Sequence, residues 1–115
     1  MRLETLAVHA GGEPDAGTGA VSPPIHLATT FAQDAVGKHS GFEYGRSGNP
    51  TRSALESCLA SLEGAERGLA FASGMAAEDA VLRTLVGPGD HLVIPDDAYG
   101  GTRERRMRFP LEVFD

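Results

Sequence analysis

A short apolar run followed directly by a helix start is the feature that most constrains how this chain folds. Residues 69–72, Leu-Ala-Phe-Ala, are apolar without alternation, as expected of a strand covered on both faces. Ser73 is a typical helix N-cap, and apolar residues recur at helical spacing from residue 75 to residue 86, where Gly-Pro-Gly ends the helix. The pattern predicts a strand, a tight turn and a helix, as in α/β proteins.

The predicted turn is a candidate anion site. The first backbone N–H groups of a helix have no partner within it, and here they belong to residues 73–76. Gly74 has no side chain, so a phosphate could approach the backbone closely, and the helix dipole would favour its negative charge. A capped helix that binds no ligand gives the same pattern. The turn alone leaves both interpretations open.

Charge and composition exclude several classes of partner. The 115 residues suit one small domain, and the net charge of −6 with a pI near 5.1 argues against nucleic acid as the main partner. Four arginines lie between residues 103 and 108, a cluster more typical of a solvated helix face. No run of residues is apolar and long enough for a signal peptide or a membrane span, so we expect a cytoplasmic protein without membrane contact.

Cysteine and histidine usage argues against a metal site. Cys58 is the only cysteine, so no intrachain disulfide is expected, and its place on an apolar stripe predicts a structural role. The four histidines are scattered without ligand spacing. We predict no bound metal. The sequence also contains no Walker motif, no dinucleotide-binding glycine motif and no G-x-S-x-G nucleophile elbow.

The chain divides into an N-terminal arm, residues 1–49, and the start of a larger domain, residues 50–115. A short helix is predicted at residues 4–9, and frequent Gly and Pro keep residues 11–49 irregular. The apolar content of this arm is too high for a solvated linker, so we expect it to pack on a partner subunit.

Asn49 and Pro50 predict the first long helix, as N-cap and first helical residue, with an exit at residues 63–64. Its expected buried stripe is Ala54, Leu55, Cys58, Leu59 and Leu62, with Arg52, Ser53, Glu56 and Ser57 facing away. A second strand is predicted at residues 91–94 and a third at 111–114. The loop at residues 96–102 would then open, with the turn at residue 73, onto the crevice where α/β sheets bind ligands.

Several motifs, in order and at family-like spacing, resemble the Cys/Met-metabolism family of pyridoxal-phosphate enzymes, closest to cystathionine γ-synthase and γ-lyase. The matching stretches are residues 4–11, 19–25, 44–52, 71–76, 88–91 and 96–102. The resemblance implies an α/β fold of the aspartate-aminotransferase-like kind (fold type I of PLP-dependent transferases). This chain would supply its N-terminal arm and the truncated start of its large domain. The implied cofactor is pyridoxal 5′-phosphate.

The resemblance also implies roles for single residues. Gly74 and Met75 match the residues whose backbone N–H groups hold the cofactor phosphate, and Ser73 would cap that turn. Tyr99 matches the tyrosine that stacks on the pyridine ring, and it is the candidate catalytic residue. Tyr44 and Arg46 match residues that cross a dimer interface to bind the phosphate of the neighbouring subunit's cofactor. An apolar arm with a cation at its end fits that role.

The resemblance implies sulfur amino-acid chemistry, γ-replacement or γ-elimination, on a homoserine ester, cysteine or cystathionine. Family members join the cofactor to a lysine far beyond residue 115, whereas the only lysine here is Lys38, at no position the family uses. We therefore expect an N-terminal fragment without turnover of its own. The alternative to the enzymatic hypothesis is a non-catalytic remnant, or an interaction module that docks on a full-length homologue through the arm.

Overall fold

The computed structural model describes residues 2–105 and 111–114, which form short strands and helices in two compact units, Met1–Ala70 and Phe71–Asp115. The first unit contains α1 (Leu3–His9), β1 (Gln33–Ala35), β2 (Lys38–His39) and α2 (Pro50–Glu63). The second contains α3 (Gly74–Leu85), β3 (Leu92–Pro95), α4 (Gly100–Arg105) and β4 (Leu111–Phe114). The predicted boundary at residue 49 stays a prediction.

Helix α2 begins and ends as its sequence predicts. The Asn49 side chain accepts hydrogen bonds from the backbone N–H groups of Thr51 and Arg52, and Pro50 occupies the first turn, where a missing N–H costs nothing. Gly64 ends the helix in the left-handed conformation, with φ of 64°. Helix α1 also confirms its prediction and packs on α2.

The predicted apolar stripe of α2 is only partly covered, and part of its polar side is covered as well. Leu55 and Leu59 are about half exposed, at 52% and 48%, whereas Ala60 is buried and Glu56 is half-buried. The chain after α2 explains the difference, because the Glu56 carboxylate accepts a hydrogen bond from the backbone N–H of Ala70 at 2.9 Å. Residues 65–70 therefore cover the polar side of the helix, and the predicted apolar stripe is wrong for its two exposed leucines.

The arm contains a β-hairpin that the sequence analysis missed. Strands β1 and β2 pair antiparallel across a turn in which Gly37 has φ of +73°. The pairing continues outward, since Thr30 and Tyr44 form an antiparallel bridge and the rings of Phe31 and Phe42 lie 5.6 Å apart. These strands have only two or three residues, too few for an alternating pattern to show in sequence.

A tight turn in the arm is built around Asp15. Its Oδ1 accepts hydrogen bonds from the Thr18 hydroxyl at 2.8 Å and from the backbone N–H groups of Thr18 and Gly17 at 2.8 Å and 3.1 Å. The Thr18 hydroxyl bond, followed by the two backbone bonds, lowers the pKa of the Asp15 carboxyl below its usual range. The charged form of Asp15 therefore stabilises this turn.

The second unit has the α/β character that the sequence predicts. Strands β3 and β4 pair in parallel, with Leu92 opposite Leu111 and Ile94 opposite Val113, and Ile94 is buried. Helix α3 runs from Gly74 to Leu85, within a residue of its prediction. The strand predicted at residues 91–94 is β3, and the one at residues 111–114 is β4.

Two predictions for this part of the chain are wrong. Residues 69–72 form no strand, and Leu69 is 76% exposed, because no strand among the described residues pairs with them and the N–H of Ala70 bonds to a side chain. The loop predicted at residues 96–102 ends earlier, since Gly100 already begins α4. The arginine cluster of residues 103–108 extends beyond the described residues.

Within the described residues, no helix is both long and apolar enough to cross a membrane. The same part of the chain holds no group of three or more His, Cys, Asp or Glu side chains that could bind a metal ion.

Candidate functional site

The N-terminus of α3 presents two backbone N–H donors that no other described residue accepts. Ser73 is extended (φ −159°, ψ 159°), and its Oγ accepts a hydrogen bond from the Ala76 N–H at 3.2 Å. Its carbonyl oxygen accepts from the N–H groups of Ala76 and Ala77, both at 3.1 Å. Among the described residues, the N–H groups of Gly74 and Met75 donate to no acceptor. The cap thus leaves these two donors for a ligand.

The space at these donors is open. A Cβ added to Gly74 would meet nothing within 4 Å, and both Ser73 and Gly74 are exposed. The twelve-residue helix directs the positive end of its dipole to the same point. An anion with several acceptor oxygens, such as a phosphate, therefore fits the site by charge and by hydrogen bonding.

Tyr99 lies beside this turn, in contact with the start of α4. A Cβ added to Gly101 would lie 2.9 Å from Cε1 of the Tyr99 ring and 2.8 Å from the Met75 sulfur, so both side chains lie against the Gly101 backbone. The structure thus brings together Ser73, Gly74, Met75 and Tyr99, four of the six predicted site residues. The Tyr99 side chain is otherwise open, with the residue 72% exposed.

The other two predicted site residues, Tyr44 and Arg46, lie together in the first unit. The Arg46 guanidinium carbon is 5.2 Å from the centre of the Tyr44 ring, a cation–π contact. Arg46 is exposed, and its guanidinium forms no ion pair with the part of the chain that the structure describes. The cation is therefore available to an anionic ligand.

Arg52 holds the loop that carries Arg46, a role that the sequence analysis missed. Its guanidinium donates to the carbonyl oxygens of Ser47 at 3.0 Å and Arg46 at 3.5 Å, and lies 3.7 Å from the Glu56 carboxylate. The Tyr44 carbonyl oxygen closes the same loop by accepting from the N–H groups of Ser47 and Gly48. Arg52 was in the matched motif, but its spacing on α2 indicated only a solvated face.

The remaining candidates lie outside these two clusters. Asn49 caps α2, as predicted, and Cys58 is half-buried on the same helix as a free thiol. Lys38 is exposed in β2. Two further side chains near Tyr99, Glu78 and Thr102, had no sequence signal, because the hydrogen bond between them joins residues 24 positions apart.

An open helix N-terminus is a common place for α/β proteins to bind phosphorylated ligands. The comparisons with known proteins give the particular family. The chain belongs to the Cys/Met metabolism PLP-dependent enzymes, whose sequence profile matches residues 4–110. This confirms the resemblance drawn from the motifs, and the family's cofactor is pyridoxal phosphate.

Two curated relatives illustrate the similarity. The chain is 61% identical over 99 residues to cystathionine gamma-synthase of Mycobacterium bovis, covering 85% of this chain and 26% of that protein. It is 56% identical over 118 residues to cystathionine gamma-lyase of Bos taurus, covering 98% of this chain and 29% of that protein. The chain thus spans about a quarter of the length of these relatives.

Solved structures show the same fold. The crystal structure of metB from Corynebacterium glutamicum matches with a TM-score of 0.89 and 45% identity, covering 99% of this chain and 31% of that one. Cystathionine gamma synthase from Xanthomonas oryzae, solved in complex with cystathionine, matches with a TM-score of 0.88 and 41% identity, covering 100% and 31%. The predicted fold, type I of the PLP-dependent enzymes, is confirmed.

Proposed function

We propose that these residues form the phosphate-binding part of a pyridoxal 5′-phosphate site, with the backbone N–H groups of Gly74 and Met75 as donors. The observation that carries the proposal is the pair of N–H donors at an open helix N-terminus, which have no acceptor within the described part of the chain. Tyr99 supports it, because its exposed ring lies beside the turn, where a flat aromatic ring would stack on the pyridine. A phosphate with an aromatic ring attached would use both features.

The arm would complete the site of a second copy of the chain. Arg46 is exposed, stacked on Tyr44 and without an ion pair among the described residues. A guanidinium of this kind binds phosphate through paired hydrogen bonds. Because the Tyr44 ring already restricts the Arg46 side chain, that side chain loses less conformational freedom when it binds. The proposed partner is thus another subunit, whose cofactor phosphate Tyr44 and Arg46 would contact.

The proposed reaction class is γ-replacement or γ-elimination in sulfur amino-acid metabolism, on a homoserine ester, cysteine or cystathionine. The names of the relatives support it, as does the Xanthomonas structure in complex with cystathionine. Bound pyridoxal phosphate supplies an electron sink for such chemistry, while the residues at the start of α3 and Tyr99 would bind and orient it.

The single cysteine supports a reducing compartment, so we place the protein in the cytoplasm.

The Gly74→Pro variant tests the phosphate site directly. Gly74 is the first residue of α3, where proline is favoured, and the extended Ser73 before it suits a following proline. The change removes one of the proposed donors while keeping the helix. Gly74→Ala is the matched control for bulk, because it keeps the N–H and its Cβ meets nothing within 4 Å.

The probe is 4′-deoxypyridoxine 5′-phosphate, which lacks the aldehyde and cannot react with Lys38. In the unmodified chain we expect it to shift the amide resonances of Gly74 and Met75, and phosphate-free 4′-deoxypyridoxine to leave them in place. Gly74→Pro should weaken binding about tenfold or more by calorimetry, the scale for a hydrogen bond to a charged group. Unchanged amide resonances in the unmodified chain would contradict the proposal.

A non-catalytic role is the second candidate. The observation that favours it is the position of Lys38, the only lysine of the sequence, which lies exposed in the hairpin of the first unit. A chain of this kind would bind the cofactor analogue, or dock on a full-length homologue, without turnover. Incubation with pyridoxal phosphate, a homoserine ester and cysteine separates the two, because product formation by the chain supports the enzymatic candidate.

A further inference from the structure

Two consecutive residues of α4 contact one face of α3. Gly101 lies against Met75, and the hydroxyl of Thr102 donates a hydrogen bond to Oε2 of Glu78 at 2.7 Å. Met75 and Glu78 are three positions apart, so they project from the same side of the helix. The start of α4 is therefore fixed against the first two turns of α3 in a defined register.

This register determines where Tyr99 lies. The Tyr99 carbonyl oxygen accepts the first backbone hydrogen bond of α4, from the Arg103 N–H at 3.1 Å, so its backbone is fixed to the first turn of that helix. Thr102 lies in the same turn. The Tyr99 residue is 72% exposed, and its ring lies against Gly101, as does the Met75 side chain. A loss of the contact between α4 and α3 would therefore release the ring from its place beside the turn at the N-terminus of α3.

The hydrogen bond from Thr102 suits this task. Its acceptor is a carboxylate and its length is short, so it belongs to the stronger class of side-chain hydrogen bonds. Both residues are half-buried, which reduces competition from water. The β-branched threonine also has few accessible rotamers, so forming the bond costs little side-chain entropy.

We propose that Glu78 and Thr102 are positioning residues, which hold the Tyr99 ring beside the N-terminus of α3 for stacking on the cofactor ring. This inference rests on the proposed function. It predicts a separation of two ligands: inorganic phosphate needs only the donors of α3, whereas 4′-deoxypyridoxine 5′-phosphate needs the donors and the ring.

The experiment compares Thr102→Val, which removes the donor at nearly constant shape, with Thr102→Ser, which keeps it. Thr102→Val should weaken binding of 4′-deoxypyridoxine 5′-phosphate about threefold to tenfold, the range for one aromatic contact, and leave binding of inorganic phosphate unchanged. Thr102→Ser should bind both ligands as the unmodified chain does. Glu78→Gln, which keeps an acceptor oxygen, should lose less affinity for the ring-bearing ligand than Thr102→Val.

A ligand-free readout accompanies the binding data. With methionine methyl groups labelled by ¹³C, the nuclear Overhauser effect between the Tyr99 ring and the Met75 methyl should be present in the unmodified chain and in Thr102→Ser, and lost in Thr102→Val. Gly101→Ala is an independent variant, because its Cβ would displace the same two side chains while both partners of the hydrogen bond, Thr102 and Glu78, are kept. It should also lose affinity for the ring-bearing ligand alone.

Three outcomes overturn the inference. Thr102→Val could retain both the ring–methyl signal and its affinity for the ring-bearing ligand. Thr102→Ser could lose as much as Thr102→Val, which would assign the effect to packing and not to the hydrogen bond. Thr102→Val could weaken both ligands equally. Failure of the unmodified chain to bind either ligand would instead overturn the proposed function, and the ring–methyl signal would still decide whether the pair holds Tyr99.

Discussion

The side-chain amide of Asn49 donates a hydrogen bond to the carbonyl oxygen of His26 at 3.1 Å, while its oxygen caps α2. One side chain therefore both starts the helix and ties the arm to it. Thr51 adds to the same junction, since its hydroxyl accepts from the His26 N–H at 2.8 Å and donates to the Pro24 carbonyl oxygen at 3.2 Å. Residues 24–26 are thus fixed to the first turn of α2.

The two functions of Asn49 can be separated by substitution. Asn49→Asp keeps the cap but loses the donor to His26, whereas Asn49→Ala loses both. We expect a loss of about 1 kcal/mol of unfolding free energy for the donor, and about 1 kcal/mol more for the cap. Denaturant unfolding measures the sum, and amide exchange of His26 should increase in both variants. Exchange that stays slow in Asn49→Asp would show that Thr51 alone holds the arm.

A glycine in the arm should be essential for packing α1 on α2. Gly11 has φ of +80°, and an added Cβ there would collide with the Ala54 carbonyl oxygen and lie 2.8 Å from Cβ of Cys58. Gly37 is the matched control, with φ of +73° and nothing within 4 Å. Gly37→Ala should cost about 1–2 kcal/mol, from backbone strain alone. Gly11→Ala should cost a further 1–3 kcal/mol, about the cost of overpacking.

Urea unfolding compares the two variants, and the Cys58 thiol gives a local readout. Displacement of Gly11 should expose this half-buried side chain, so it should react faster with a thiol reagent in Gly11→Ala than in Gly37→Ala. Equal stability losses and equal thiol reactivity in the two variants would mean that α1 does not depend on this close approach.

Local signals predicted the ends of the long helices because the residues involved are neighbours in sequence. Asn49 caps N–H groups two and three positions away, and Ser73 caps one three positions away. The strand at residues 92–95 was likewise recognisable as an apolar run that ends at Pro95. The same locality marked Gly74 and Met75 as candidate donors, although the assignment of a phosphate to them came from the family resemblance.

Contacts between distant residues could not be predicted in this way. The carboxylate of Glu56 binds the backbone of Ala70, fourteen positions away, and this contact covers a side chain of α2 that was expected to face solvent. The hydrogen bond from Thr102 to Glu78 joins residues 24 positions apart, so the sequence around neither residue indicates it. The β1–β2 hairpin was missed for a different reason. Its strands of three and two residues are too short to show an alternating apolar pattern.

The Asp15 turn should respond to acid. The folded-state pKa of Asp15 lies below its unfolded-state value, so the turn is fully stabilised above the unfolded value of about 3.9 and loses this stabilisation as the pH falls through the lowered folded value. An NMR titration of the Gly17 and Thr18 amides should report the transition. Thr18→Val, which removes the hydroxyl donor, should move it to higher pH, and Thr18→Ser should leave it near its original position. A transition unaffected by Thr18→Val would assign the shift to the backbone donors alone.

Arg46 should couple cofactor binding to self-association, if it contacts the phosphate bound by a second copy of the chain. A ligand that binds across an interface stabilises the dimer, so 4′-deoxypyridoxine 5′-phosphate should increase the dimer fraction of the unmodified chain in sedimentation velocity. Arg46→Ala should weaken this effect by about 2 kcal/mol, the scale for a charge-assisted hydrogen bond.

Arg67→Ala is the matched control for Arg46→Ala, because Arg67 is also exposed and the substitution changes the net charge equally. It should respond to the ligand as the unmodified chain does. The two possible locations of the Arg46 contact give different concentration dependences. If the contact crosses subunits, the ligand affinity of the unmodified chain rises with protein concentration. In Arg46→Ala the affinity should then no longer depend on protein concentration. If Arg46→Ala instead weakens binding by the same factor at every protein concentration, the guanidinium acts within its own chain, and the proposed role of the arm is wrong.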